Sequence, residues 1–171
     1  MFKINDTIIY GSEGVCQIVD IKENDFLGGK RTYYVIKPMG YNASTIYVPV
    51  DSELLVQKMH SLLSKNEIND LIDSLPKEPT HWIPNERERK EKYKELLSSG
   101  NRAELLNMIR TVHNERIKRE SLHKRLHMID EHFLNDAEKC LYSEFQFVLK
   151  LKQDEVISYI MNRVESNSDN T

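Results

Sequence analysis

Cysteine is scarce in this chain: Cys16 and Cys140 lie far apart and in different local patterns. Without a CxxC or any paired spacing, the sequence describes neither a disulfide scaffold nor a zinc module, and a reducing compartment is the default. Long apolar runs are lacking too. The opening MFKINDTIIYGSEG has no signal-peptide core, and no stretch approaches the ~20 residues of a membrane span. A soluble, cytoplasmic protein without membrane contact is the expectation. There is no GxGxxG, no P-loop and no GxSxG. Bulk positive charge is absent as well: the formal net charge is -3, which argues against a protein that holds nucleic acid mainly by bulk electrostatics. Apolar residues make up 39% and charged residues 30%, the balance of a helix-rich, well-solvated molecule.

What is present divides the chain in two. Over the first fifty residues TIIY, VCQIVDI, TYYVIK and TIYVPV are short and rich in β-branched and aromatic residues. They are separated by Gly11–Gly14, Asn24–Gly29 and Pro38–Asn42, all turn chemistry. A small, bent antiparallel module follows, too small to enclose a large active site and the right size for binding.

From about residue 51 the period changes. Ser64 with Glu67 forms a capping-box signature ahead of Ile68, Leu71, Ile72 and Leu75, and Pro76 stops that helix. NERERKEKYKELLSSG reads as a polar helix ending at Gly100. A third helix carries Leu105, Met108, Ile109, Val112 and Ile117 on one face, and Leu122, Leu126, Ile129 and Phe133 continue the pattern. Asn135 is the expected cap of a helix with Ala137, Leu141, Phe145 and Val148 in register. A last helix holds Val156, Ile157, Ile160 and Met161. The fold class is therefore α+β: a β-module over 1–56, an all-α bundle over 57–165 and a disordered tail over 166–171.

Residues in patterns that could carry chemistry are few. His123, His127 and His132 fall at i, i+4, i+9 on one expected helix, but they share no clean face and no HExxH glutamate accompanies them. Cys16 reads as a small hydrophobe on a strand, and Cys140 sits beside a core position without a base near it in sequence. Glu86 and Glu88 belong to a solvated helix. Nothing indicates an enzyme, a metal or a cofactor.

Trp82, the only tryptophan, is the exception. It sits between Pro79 and Pro84 with no apolar period around it, directly before Arg87, Arg89, Lys90, Lys92 and Lys94. One reading is a ring that packs over the helical bundle. The other is an aromatic wedge beside cations, the arrangement that holds a distorted minor groove. A further concentration of bases, Arg110, Arg116, Lys118, Arg119, Lys124 and Arg125, points weakly to a polyanion, against the commoner alternative of a solvated helix face. From these residues alone the two readings of Trp82 stand level.

MFKINDTIIYGSEGVCQIVDI, YYVIK, TIYVPVD and EPTHWIPNERERKEKYKELLSSGNRAELLNMIR together resemble the CarD/CdnL family of bacterial transcription regulators, over residues 1 to about 165. The first module alone also resembles one found in transcription-repair coupling factors, which are large helicases, whereas this chain has no ATPase motor. The resemblance implies a Tudor-like N-terminal module that binds the RNA polymerase β subunit. Lys22, Asn24, Ile46, Tyr47 and Pro49 match the polymerase-contact region. It also implies a helical domain at the upstream edge of the promoter bubble, with Trp82 wedged into the minor groove and Arg87, Arg89, Lys90 and Lys94 on the DNA backbone, stabilising the open complex. The chain departs from the family where Tyr10–Gly14 lacks the usual proline and histidine, and where Tyr47 stands in place of an arginine carried by some members. The expected protein is a monomeric regulator acting through RNA polymerase and promoter DNA, at the nucleoid through polymerase. The alternative is a non-enzymatic adaptor whose tryptophan is structural and never meets DNA.

Overall fold

The computed structural model describes residues 1–26, 28–40, 43–78 and 80–168. Pro79, the Tyr41–Asn42 end of the third turn and 169–171 of the expected tail lie outside the described residues. The four expected strands form as β1 (Thr7–Tyr10), β2 (Val15–Asn24), β3 (Arg31–Pro38) and β4 (Ile46–Pro49). A 3-10 turn over Gly11–Glu13 joins β1 to β2. Past residue 56 a further strand, β5 (Met59–Ser61), pairs antiparallel with β1, giving a five-stranded sheet in the order β4-β3-β2-β1-β5. Met-His-Ser is too short to carry a strand signal. What recruits it is the open edge of β1, whose backbone groups need partners. A bulge between Ile18 and Asp20 bends β2 and leaves Val19 on the surface.

β1 and the start of β2 are buried on both faces. Ile8, Cys16, Ile18, Tyr34, Ile36, Val48 and Met59 form the core of the β-module. Ile9 and Val15, one residue out of phase with Ile8 and Cys16, belong instead to the core of the helices. Successive strand side chains point to opposite faces, so the pairs Ile8-Ile9 and Val15-Cys16 supply two cores at once. The module and the bundle therefore share a hydrophobic seam.

After the single turn α1 (Glu53–Val56), the helices are α2 (Lys65–Asp73), α3 (Glu86–Ser99), α4 (Arg102–Ser121), α5 (Met128–Leu149) and α6 (Gln153–Ser168). Ser64 caps α2 through the capping box with Glu67 that the sequence announces. Asn85 caps α3, and Glu86 and Glu88 fill its first turn, where the helix dipole favours acids. Gly100 ends α3 in the left-handed conformation. Ala137, Leu141 and Phe145 on α5 are fully buried, and Val156 and Ile160 on α6 join them.

Three helical expectations are corrected. α4 stops at Ser121 and α5 begins at Met128 after His127, so Asn135 is a mid-helix residue rather than a cap. The apolar pattern runs through the break because Leu126 is buried from the loop, whereas Leu122 and Ile117 face solvent. On α6, Ile157 and Met161 are exposed. The helix also extends through 166–168 of the segment expected as tail.

Candidate functional site

Two surfaces gather the residues that the sequence singles out. The first is the β4 margin of the sheet. β4 pairs only with β3 among the described residues, so its outer edge is open. The register sets Lys22, Tyr33 and Pro49 in one row, with Val35 and Tyr47 in the next on the same face. Phe26 folds over this face, its ring 4.9 Å from that of Tyr47 and 5.3 Å from that of Tyr33, all edge-to-face. The Lys22 ammonium lies 5.7 Å from the Tyr47 ring. Tyr47 and Phe26 remain exposed while Tyr33 is buried beneath them.

The expected contacts are thus mostly brought together, with Asn24 at the hairpin end opposite Arg31. Ile46 is the exception. It lies opposite Ile36 on the other face and packs on the module core, so its side chain takes no part in this surface. Phe26 carries no signal in the sequence because it lies in a turn, outside any strand period.

The second surface surrounds Trp82. Its ring is not stranded in solvent. Trp82 is half-buried against the helical core, with the Arg89 guanidinium 4.2 Å and that of Arg119 5.8 Å from the ring centroid. Arg89 corrects the expectation that it touches a DNA backbone. It is 2% exposed and donates from Nε and Nη2 to the two carboxylate oxygens of Asp130, at 2.6 and 2.9 Å. Its Nη1 donates to the Ile83 and Pro84 carbonyls. Burial disfavours its charge, but the hydrogen bond and the Asp130 carboxylate more than offset this and raise its pKa. Four of its five N–H groups are committed, leaving the side chain as a post that fixes the 82–84 segment.

The remaining cations are arranged differently. Arg87, Lys90 and Lys94 follow i, i+3, i+7 spacing along one side of α3, and Arg89 stands about 200° around the helix from Arg87. Arg87 and Lys94 are exposed and Lys90 is half-buried. Lys94 makes a surface pair with Glu91 at 3.0 Å, a contact worth little against solvent. Arg119 and Lys118 reach the Trp82 side instead, from α4, Arg119 tied to Glu115 at 2.7 Å. A cleft of about 290 Å³ opens beside the ring, lined by Glu78, Thr80, His81, Trp82, Asn114 and Lys118 among others. The polar run ERERKEKYKELL concealed a buried stripe, Arg89, Tyr93 and Leu96. Its i, i+4, i+7 spacing was the available signal, obscured because the first member is an arginine.

The three histidines do not form a set. His123 and His127 lie in the α4–α5 connection and His132 on α5. Among the described residues no cluster of His, Cys, Asp or Glu could hold a metal ion. Burial pushes both thiols, Cys16 and Cys140, up to about 12, far from thiolate reactivity. No helix among the described residues is long and apolar enough to cross a membrane.

Polar contacts at the seam hold the two surfaces in relation. Ser143 Oγ on α5 accepts from the Val15 amide at 3.3 Å, directly beneath Gly14. Gly14 has φ +77°, and a Cβ there would stand 2.5 Å from that hydroxyl. Glu144, buried on α5, accepts from the Leu63 amide at 2.8 Å and from Arg102, which also donates to the Ser61 carbonyl.

Residues 2–60 match the family model of the CarD-like/TRCF RID domain, which ends inside β5. That domain is a protein-interaction module rather than a catalytic one, and its family interacts with RNA polymerase. No curated protein matches the chain.

Proposed function

We propose that this chain, a CarD-like protein by the RID domain of residues 2–60, is a transcription regulator tethered to RNA polymerase that stabilises promoter open complexes. The observation that carries the reading is the pairing, across one shared core, of an open-edged RID sheet with a half-exposed Trp82 whose cleft is bordered by the exposed Lys118. The β4 edge supplies unpaired backbone groups for strand addition by the polymerase β subunit. Tyr47, Phe26 and Lys22 supply the adjoining aromatic and cationic contact, and Asn24 and Pro49 border it.

Trp82 and the Arg87, Lys90 and Lys94 stripe then face the upstream edge of the melted DNA. There the ring occupies the minor groove beside an unstacked step and the cations meet phosphates. A chain of net charge -3 binds free DNA weakly. Held by polymerase, the same contacts become intramolecular and weak ones suffice. Only contacts stronger with open than with closed DNA shift the equilibrium, and about 1.4 kcal/mol of such difference is a tenfold effect. The protein works in the cytoplasm, as a monomer, wherever polymerase meets promoters.

The half-burial of Trp82 under Arg89 favours a second reading, an adaptor in which the tryptophan is structural. Loss of the ring destabilises the fold on either reading, so stability does not separate them. The deciding measurement is open-complex lifetime with Trp82→Ala, at equal amounts of folded chain captured by polymerase. The wedge reading expects unchanged capture and a lifetime shortened about tenfold. An unchanged lifetime establishes the adaptor instead.

A further inference from the structure

Behind the β4 margin, on the face away from Tyr47, a groove of about 790 Å³ runs between the β3–β4 connection and α5. Pro38, Met39 and Ile46 line it from the module, Phe147 from α5, and Val15 from the seam. Ile46 is half-buried, while Met39 and Phe147 are 55% and 43% exposed. The polar groups beside them are largely committed. Glu13 and Lys139 pair at 3.7 Å, so their charges cancel. The Ser143 hydroxyl accepts from the Val15 amide and donates to the Cys140 carbonyl. The groove therefore favours an uncharged, apolar occupant.

What reaches it follows from the sheet. The β5 margin is taken up by the bundle: the Ser61 carbonyl accepts from Arg102, and the Leu63 amide donates to Glu144. The β4 margin is left open among the described residues. The Val50 amide donates to the Thr32 carbonyl, towards β3. Main-chain groups alternate sides along a strand, so those of Ile46 and Val48 also turn to β3 and those of Tyr47 turn outward. A strand added at this edge pairs with Tyr47 and sends its side chains to alternate faces. The residue opposite Tyr47 meets the Tyr47–Phe26 cluster. Its neighbour, beside Ile46, points over the groove.

We infer that the groove seats one large apolar side chain of the polymerase β-subunit segment that adds to β4. Phe147, which lies on α5 and outside the RID domain of residues 2–60, is then a polymerase-contact residue. The inference rests on the β4 docking proposed above and deepens it: polymerase grips module and bundle together, across the seam that joins them.

The test places a photo-crosslinker in the full-length chain as Phe147→p-benzoylphenylalanine and irradiates it with purified RNA polymerase. A crosslink to an apolar residue of the β subunit is expected. Polymerase affinity is then measured for Phe147→Ala, Met39→Ala and Tyr47→Ala, each about tenfold weaker than the unaltered chain. Both groove side chains are exposed, so the unfolding midpoints of their variants should stay close to that of the unaltered chain. Should Phe147→Ala not fold, Met39→Ala on the module wall decides.

A crosslink to another subunit, to promoter DNA or to a second copy of this chain overturns the inference, as does unchanged affinity for both groove variants. Weaker capture by Tyr47→Ala alone removes only the groove and leaves the β4 docking. Weaker capture by the groove variants alone, with the β-subunit crosslink, keeps the groove and removes the Tyr47 contact. Unchanged capture by all three variants removes both.

Discussion

At the scale of single residues, Arg89 shows how much of a polar stretch can be structural. Its guanidinium joins Asp130, the Ile83 and Pro84 carbonyls and the Trp82 ring in one buried knot. Removing one partner of such a pair leaves the other charged and desolvated. Arg89→Ala is expected to lower unfolding free energy by about 3–5 kcal/mol in urea titrations. Arg89→Lys should recover little, because an ammonium cannot reproduce the planar fork across both carboxylate oxygens. Gly100 is a second such point. With φ at +68° and the His60 ring 2.4 Å from where a Cβ would stand, Gly100→Ala is strained twice over. A loss of more than about 1 kcal/mol is expected. The double variant Gly100→Ala/His60→Ala should lose less than the sum of its single variants, because the steric part of the strain disappears with the ring.

Among the elements, α2 and β4 differ in how openly the sequence writes them. The capping box of α2 was legible from Ser64 and Glu67 and is formed as read: Ser64 Oγ accepts from the Glu67 amide and Glu67 accepts from the Ser64 amide. Ser64→Ala should destabilise the chain by about 1 kcal/mol in thermal or denaturant unfolding. β4 was legible as a strand, but its place at the sheet edge was not, because strand order follows from pairing rather than from local pattern. That place makes Tyr47 informative. Tyr47→Ala removes exposed aromatic surface from an open edge, so it should weaken polymerase capture while leaving the unfolding midpoint nearly unchanged. Equal capture by the variant would move the polymerase contact elsewhere on the sheet.

For the whole molecule, the seam decides behaviour that neither half shows alone. Ile9 and Val15 are buried by helices, and β5 completes the sheet from beyond residue 56. A fragment of residues 1–56 should therefore lack a cooperative unfolding transition by circular dichroism, although the intact chain has one.

His60 lies in the same seam with its Nε2 buried and unpartnered. Burial first, and then the neighbouring Arg102, lower its pKa, while the Ser98 main chain and Glu144 pull the other way. The folded state thus prefers the neutral ring. The associated stability is present above the ordinary histidine value near 6.5 and is lost as pH falls from there towards the depressed folded value. Unfolding free energy should decline below about pH 6.5 with a slope that His60→Gln reduces. Parallel slopes in the two proteins would place the acid sensitivity at another group.

Local pattern was enough to determine the α+β class, the four strands of the module, the cap of α2 and the stop of α3. These are short-range matters of period, turn chemistry and capping, written in neighbouring residues. Only the tertiary structure decided that β5 joins the sheet, that the α4–α5 break falls at 122–127 rather than before Asn135, and that Phe26 covers Tyr33 and Tyr47. It also separated cations that look alike in sequence. Arg89 faces Asp130, forty-one residues away, whereas Arg87 and Lys94 face solvent. A charge is buried or free according to what another element brings to meet it, and that meeting is a property of packing.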